Sequence, residues 1–93
     1  MGYLFEWDKH KAQSNLRKHR VTFEEATTVF GDALALLMPD PDHSFEEQRY
    51  LLLGMSQHGR LLVVAFAERG PRTRLISARL ASSAERKRYE KGH

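Results

Sequence analysis

The strongest constraint on the fold lies in the second half of the chain, where three apolar segments follow one another with only short turns between them. The segments are RYLLLGMSQ (49–57), RLLVVAFAE (60–68) and RTRLISARL (72–80). His58-Gly59 separates the first two, as in a two-residue hairpin, and ERGPRT forms the second turn. Because strands joined by tight turns pair antiparallel, this half of the chain predicts an antiparallel meander.

The first part of the chain predicts a short strand followed by two helices. YLFEW (3–7) has the composition of a strand, and Asp8 is a suitable N-cap for a helix that extends to about His19. TFEE (22–25) has the pattern of a capping box, which predicts a second helix over about 23–31. Only two or three residues separate the helices, so we expect them to form a tight pair.

The remaining segments complete the order of elements. ALALLMP (33–39) predicts a strand that ends at a proline, DPDHSFEEQ (40–48) predicts a loop, and SSAERKRYEKGH (82–93) predicts a helix that opens with a capping box. The predicted order is β-α-α-β-β-β-α. We therefore expect a single α+β domain over residues 1–93, with an antiparallel meander sheet and its helices on one face.

The first helix carries two stripes that could face the sheet. Ala12, Leu16 and His19 share one stripe at 100° per residue, and Lys11, Asn15 and Lys18 share the stripe beside it. Because the first stripe is more apolar, we expect it to hold the helix against the sheet. Lys11 and Lys18 would then face outward and be free to contact an anion.

Charge is distributed unevenly along the chain, although the net charge is only +3. Residues 8–20 carry five Lys or Arg against one Asp, and residues 60–93 carry nine against three Glu. Residues 21–59 carry seven Asp or Glu against one Arg. This pattern fits either internal pairing of the blocks or an anionic ligand at the basic ends and a basic partner at the acidic middle.

The last predicted strand is the most informative element for function. Strict alternation sends Ile76, Ala78 and Leu80 toward the helices, with Arg72 and Arg74 sharing their parity. It sends Thr73, Leu75, Ser77 and Arg79 to the less covered face. The guanidinium group of arginine can donate two parallel hydrogen bonds to phosphate oxygens and stays charged at any working pH. Three arginines on one strand therefore indicate anion binding. The alternative is that these arginines pair with the acidic middle of the chain.

The C-terminal helix offers further basic groups and a tyrosine. Arg86, Lys87, Arg88 and Lys91 cover most of its surface, as expected either for a solvated helix or for one that contacts phosphates. Tyr89 could stack on a base, although anchoring the helix to the sheet is the simpler role.

Four other residues could take part in proton transfer or metal binding. His19 could act near neutral pH, but its stripe also fits a structural histidine. Glu6 and Glu68, at strand ends, could be bases or salt-bridge partners. His43 lies among acidic residues whose spacing matches no metal-binding loop, and the chain has no cysteine, so no metal site is predicted.

Several segments taken in order resemble the BrnT family of bacterial toxins. They are FEWDKHKAQSNLRKHRVTFEEA, PDPDHSFEEQRYLLLG, RLLVVAFAERG and RLISARLASSAERKRYE, which together extend from about Phe5 to Tyr89. The resemblance implies a fold like that of the RelE ribonucleases and the toxin half of a type II toxin–antitoxin pair. It also implies RNA cleavage that arrests translation, and neutralisation by a BrnA-like antitoxin that supplies the DNA-binding module.

Individual positions can be matched to the family pattern. The matching residues are Trp7, Asp8, Lys11, Asn15, Lys18, His19, Phe23, Glu24, Glu25, Ala26, His43, Arg49, Ile76, Ser77, Ala78, Arg79, Glu85 and Tyr89. The chain departs from the pattern at Arg20, where family members commonly have Gly. A left-handed helix end at Arg20 would cost roughly 1 kcal/mol more than with Gly.

These observations predict a ribonuclease toxin that needs no cofactor or metal. The predicted catalytic residues are Arg79, Arg74, His19, Glu68 and Tyr89, and the predicted RNA contacts are Lys11, Lys18, Arg72, Arg86, Lys87 and Arg88. Predicted partners are the antitoxin, in a hetero-oligomer, and RNA, with DNA bound only through the antitoxin. A non-catalytic nucleic-acid-binding module and a pure interaction protein remain alternatives.

The sequence also predicts where the protein acts. MGYLFEWDKHK lacks the basic and apolar regions of a signal peptide, and no run of about 18 apolar residues is present. We therefore expect a cytoplasmic protein without a membrane partner.

Overall fold

A computed structural model describes residues 3–40 and 48–92. It contains five strands, three α-helices and one turn of 3-10 helix. In chain order they are β1 (Leu4–Glu6), α1 (Lys9–His19), α2 (Phe23–Thr28), the 3-10 turn (Val29–Gly31), β2 (Leu36–Pro39), β3 (Arg49–Met55), β4 (Leu61–Arg69), β5 (Arg72–Leu80) and α3 (Ser83–Lys91). The α+β class and the order β-α-α-β-β-β-α are confirmed.

The five strands form one sheet in the order β1-β5-β4-β3-β2. Strands β2 to β5 pair antiparallel as predicted, but β1 pairs parallel with β5, with Phe5 opposite Thr73. The chain between β1 and the meander passes through α1 and α2, and β1 then forms the edge beside the last strand. The sheet is therefore mixed rather than purely antiparallel.

The β3–β4 connection is longer than the predicted two-residue turn. The strands end at Met55 and begin again at Leu61, and the Ser56 N–H donates to the Arg60 carbonyl at 2.8 Å. Gly59 has φ +76°, a left-handed conformation that Gly adopts without the steric penalty of a side chain. The loop thus places both Ser56 and Arg60 beside the helices.

Both faces of the sheet are covered, and the expectation of helices on one face holds only for α1 and α2. One core cluster joins Phe23 and Val29 to Leu62 and Val64. A second cluster joins Tyr89 of α3 to neighbouring residues of β4, including Leu61 and Val63. Because side chains alternate along β4, the two clusters lie on opposite sides, and α3 packs on the face that α1 and α2 leave free.

Helix α1 is held to the sheet by a polar residue. Asn15 is buried and Ala12 packs against the core, whereas Leu16 is 44% exposed and His19 is exposed, so the predicted buried stripe is correct only at Ala12. The Asn15 amide donates to the carbonyls of Val21 and Ala78, and its oxygen accepts from the Ala78 N–H at 3.0 Å. The side of α1 that faces the sheet therefore takes Ala12 from one stripe and Asn15 from the other, because the Asn15 amide pairs with the backbone of β5.

A buried carboxylate ties the β3–β4 loop to the helical pair. Glu25 accepts hydrogen bonds from Ser56 Oγ at 2.7 Å and from Arg60 Nε at 2.9 Å, and Arg60 Nη2 also donates to Glu25 Oε1. The hydrogen bonds from Arg60, more than any other cause, lower the pKa of Glu25. Thr22 caps α2 by accepting from the Glu25 N–H, but the Glu25 side chain goes to Arg60, so the predicted capping box is only half formed.

The loop predicted over residues 40–48, including His43, lies mostly outside the described residues. Within residues 3–40 and 48–92, no helix is long and apolar enough to cross a membrane.

Arg20, which stands where the family pattern commonly has Gly, adopts the left-handed conformation considered in the sequence analysis. It is the C-cap of α1 with φ 58° and ψ 33°, and its N–H donates to the Leu16 carbonyl at 3.0 Å. Its own carbonyl accepts from Arg60 Nη2 at 3.0 Å. These bonds use only the Arg20 backbone, so they do not depend on its side chain.

Replacing Arg20 with Gly should stabilise the protein. The substitution removes a left-handed penalty of about 1 kcal/mol and keeps both backbone hydrogen bonds. Part of the gain is offset by the greater freedom of Gly in the unfolded chain, so we expect about 0.5 kcal/mol in urea unfolding. The matched control is Gly59→Ala, which introduces the same strain and should destabilise. A less stable Arg20→Gly variant would contradict this account.

Candidate functional site

A β-bulge in β5 brings three arginines to the same face of the sheet. Ala65 and Phe66 are consecutive in β4, but their partners in β5 are Ser77 and Leu75, so Ile76 is an extra residue. On the N-terminal side of the bulge, the residues of β5 point to the opposite faces from those that strict alternation with residues 77–80 would give. Arg74 pairs with Ala67 and Arg79 with Val63, and paired residues in an antiparallel ladder share a face. Arg72, Arg74 and Arg79 therefore all lie on the face that carries α3.

The bulge also corrects the predicted faces of β5. Ala78 lies on the α1/α2 face and Arg79 on the opposite face, as predicted. Leu75 and Thr73 were predicted on the less covered face, but Leu75 belongs to the core under α1 and α2, and Thr73 is buried. The prediction from strict alternation failed because the extra residue, Ile76, exchanges the two faces for all residues that precede it in β5.

Arg74 is oriented by a carboxylate from the neighbouring edge strand. Its Nη1 donates to Glu6 Oε2 at 3.1 Å, and Arg72 Nε lies 3.9 Å from Glu6 Oε1. The parallel pairing of β1 with β5 puts Glu6 directly opposite Arg74. Arg74 is 30% exposed and its remaining N–H groups are not used by Glu6, so it can bind an anion while staying oriented.

Arg79 is held by the first turn of α3. Its Nη1 and Nη2 donate to the two carboxylate oxygens of Glu85 at 2.8 and 2.9 Å, a bidentate pair. Glu85 also accepts from the Ser82 N–H at 2.8 Å, which completes the predicted capping box. The hydrogen bonds from Arg79, followed by those of Ser82, lower the pKa of Glu85 to about 2.

Between these two pairs the face is lined by small side chains. Ala67 and Ala65 are buried in β4 beside Arg74 and Ser77. We use the name arginine face for Arg72, Arg74, Ser77 and Arg79 together with this alanine floor. It offers several guanidinium N–H donors above a shallow surface, an arrangement suited to binding the phosphates of an extended chain.

Helix α3 is anchored at its far end by Tyr89. The Tyr89 hydroxyl donates to Asp32 Oδ2 at 2.7 Å, and this bond raises the pKa of Tyr89 to about 12. Tyr89 therefore makes the contacts of a residue that anchors α3 to the sheet, which is the simpler of the two roles considered from the sequence. Arg86, Lys87 and Arg88 are exposed, and the last two border an open groove of about 470 Å³ beside Leu36.

The predicted functional residues do not form a single cluster. Arg72, Arg74 and Arg79 share the arginine face, but Glu68 pairs with Thr73 and lies on the α1/α2 face. His19 lies at the end of α1, which packs on that same side of the sheet. Lys11 and Lys18 are exposed on α1 as predicted.

Two carboxylates that orient the arginines were not assigned that role from the sequence. Glu6 was considered as a base or a salt-bridge partner, and the structure shows the salt bridge. Glu85 was recognised as part of a capping box and as a position of the family pattern, but not as a partner of Arg79. Its position six residues after Arg79, just across a turn, was the available signal that a helix-capping carboxylate could also reach the end of the preceding strand.

Comparisons with known proteins identify relatives of this chain. Residues 7–85 match the family model described as the ribonuclease toxin BrnT of type II toxin–antitoxin systems. A solved structure of the Brucella abortus ribonuclease toxin BrnT is similar in fold, with a TM-score of 0.67 and 23% sequence identity. That similarity covers 89% of this chain and all of the Brucella chain. A comparison with curated protein sequences finds no match.

The Arg79–Glu85 pair should make stability depend on acid pH. Because its folded-state pKa is below the ordinary 4.5, Glu85 stabilises the fold above about pH 4.5, and this contribution is lost as pH falls toward 2. Glu85→Gln should reduce the free energy of unfolding by about 1–2 kcal/mol at pH 7.

The check is chemical unfolding of parent and Glu85→Gln from pH 7 down to pH 3. The difference between them should shrink below pH 4.5, while the titration of Glu25 affects both proteins equally. A difference that stays constant over this range would show that the pair contributes nothing through its charge.

Proposed function

Because this chain belongs to the BrnT family of ribonuclease toxins of type II toxin–antitoxin systems, we propose that it cleaves RNA in the cytoplasm and thereby arrests translation. A BrnA-like antitoxin neutralises it in a hetero-oligomer, and DNA is bound only through that antitoxin. The observation that carries the proposal is the arginine face, where the bulge in β5 aligns Arg72, Arg74 and Arg79.

Cleavage of RNA by its own 2′-hydroxyl requires positive charge around the reacting phosphate. The 2′-hydroxyl loses its proton to water as its oxygen bonds to phosphorus, and the bond from phosphorus to the 5′-oxygen breaks. The 5′-oxygen takes up a proton from water, so the products are a cyclic phosphate and a 5′-hydroxyl. Negative charge accumulates on the phosphoryl oxygens in the transition state. A rigid guanidinium that is oriented before the substrate arrives can stabilise this charge without reorganisation.

Arg74 is the residue best suited to contact the reacting phosphate. Glu6 orients it through one Nη1 hydrogen bond, which leaves the other side of the guanidinium fork for an anion. Arg79 uses both terminal nitrogens for Glu85, so its remaining N–H groups give it an assisting role. Arg72, at 59% exposure, and the basic residues Arg86, Lys87 and Arg88 bind the RNA backbone on either side.

The other predicted residues have different roles in this proposal. His19 and Glu68 lie across the sheet from Arg74 and do not take part in the reaction. Lys11 and Lys18 contact RNA only where a longer strand passes around the edge of β5 toward α1. Tyr89, whose hydroxyl is bonded to Asp32, keeps α3 in place.

We propose that the reaction does not depend on a metal ion, because guanidinium groups can provide the charge that a cation would supply. Cleavage should therefore persist in an excess of EDTA. The principal alternative is a module that binds RNA through the arginine face without cutting it. Binding without cleavage products, in the presence or absence of added magnesium, would favour that alternative.

Replacing Arg74 with Ala should reduce RNA cleavage by about 10²–10³-fold, the effect of removing one preorganised donor to a developing charge. Arg74→Lys should recover only a part, because an ammonium group lacks the fork. The matched control is Arg17→Ala, an exposed arginine on α1, which should cleave like the parent. Rates are measured on purified protein with antitoxin absent, and thermal melts show that each variant is folded. Parent activity in a folded Arg74→Ala variant would contradict the proposed site.

Expression of the parent alone should arrest growth and reduce translation, and co-expression of the antitoxin encoded beside it should restore both. Arg74→Ala should be tolerated at the same protein level. Normal growth and intact RNA during accumulation of folded parent protein would refute the toxin function. Growth arrest by Arg74→Ala equal to that of the parent would locate the activity elsewhere.

A further inference from the structure

A second surface lies on the opposite side of the sheet from the arginine face. It is a groove of about 320 Å³, which we call the aromatic groove, and its lining includes Tyr3, Phe30, Asp32, Leu37, Phe66 and Glu68. Leu52 and Phe66 belong to the core cluster under α1 and α2, so the groove lies on the side of the sheet that carries these helices. The groove is therefore separate from the proposed site of RNA cleavage.

Large apolar side chains at the rim of the aromatic groove are exposed to solvent. Leu37 is 61% exposed and Tyr3 is 55% exposed, and Leu34 nearby is 51% exposed. Clustered exposed apolar side chains of this kind mark interaction sites more often than isolated ones do. Leu37 also lies on β2, the edge strand at one end of the sheet.

The floor of the groove is rigid because its rings pack against one another. Phe30 contacts Tyr3 and Phe66 edge to face, with ring centroids 5.1 and 5.0 Å apart. Tyr3 also stacks on Phe5 at 5.4 Å. A preformed aromatic surface loses little conformational entropy when a partner binds to it.

The charges around the groove select a protein partner rather than RNA. The charged side chains that line it are two carboxylates, Asp32 and Glu68. Asp32 accepts from Tyr89 and from the Met55 N–H, so its negative charge is held in place. Carboxylates repel phosphates, whereas an apolar side chain flanked by Lys or Arg complements both the floor and the rim.

We propose that the aromatic groove binds a segment of the antitoxin that carries an apolar side chain next to a basic one. This inference rests on the proposed function only in taking an antitoxin as the occupant. It adds that the antitoxin is held on the side of the sheet away from the arginine face, through contacts that RNA does not use.

The experiment compares four variants by calorimetric titration with the purified antitoxin encoded beside this chain. Leu37→Lys removes an apolar contact and adds a charge like that of the partner, so Kd should rise at least tenfold. Leu37→Asp removes the same contact but keeps the favourable charge, so Kd should rise less. Tyr3→Ala alters the rim without touching β2 and should also weaken binding. Leu16→Lys, at an exposed leucine on α1 outside the groove, is the matched control and should bind like the parent.

RNA cleavage and thermal melting are measured on the same proteins without antitoxin. Leu37→Lys should cleave like the parent and melt within a few degrees of it, since Leu37 is largely exposed. Parent affinity for antitoxin in both Leu37→Lys and Tyr3→Ala would overturn the inference, as would equal losses in Leu16→Lys. Loss of cleavage with unchanged antitoxin binding would assign the groove to RNA, and loss of self-association alone would assign it to a second copy of this chain.

The two proposals fail in different ways. A parent protein that binds antitoxin at the groove but cuts no RNA would refute the proposed function and leave this inference standing. A parent protein that cuts RNA but does not bind the antitoxin would refute this inference and leave the ribonuclease activity intact.

Discussion

The buried amide of Asn15 is the contact on which the rest of this structure depends. It donates to one carbonyl of β5 and accepts from the N–H of the same residue, Ala78, so it pairs with the strand edge as a neighbouring strand would. Strand β1 covers β5 only as far as Arg74, and beyond that point α1 takes over. Leaving a buried N–H and C=O unpaired would cost about 1–3 kcal/mol each, which is a large part of the stability of a small domain.

This contact also determines the geometry of the arginine face. Ala78 is held toward α1 immediately after the bulge at Ile76, so Ser77 and Arg79 must point to the other side. Without the extra residue, Arg74 and Arg79 would lie on opposite faces, because their separation in the chain is odd. The bulge thus changes the register of one strand and brings to one face arginines that ordinary alternation would separate.

Two carboxylate–guanidinium pairs illustrate how similar contacts can serve different purposes. Glu25 is buried and its two oxygens are occupied by Arg60 and Ser56, so this pair joins the hairpin to the helices. Arg74 is also paired, but through a single hydrogen bond to Glu6, and it keeps donors exposed at the surface. The number of guanidinium donors left over, rather than the presence of a salt bridge, distinguishes a structural arginine from one that can bind substrate.

The sequence by itself determined the class, the order of the elements and the family, because capping residues, turn residues and apolar periods act locally. It also identified β5 and its arginines as the informative element. Only the tertiary structure decided which residues of α1 face the sheet, that α3 covers the second face, and that Arg72, Arg74 and Arg79 lie together. The tertiary structure also places Glu68 and His19 on the opposite side of the sheet from the three arginines. These outcomes depend on backbone groups left unpaired at a sheet edge and on one inserted residue, and neither leaves a periodic signal in the chain.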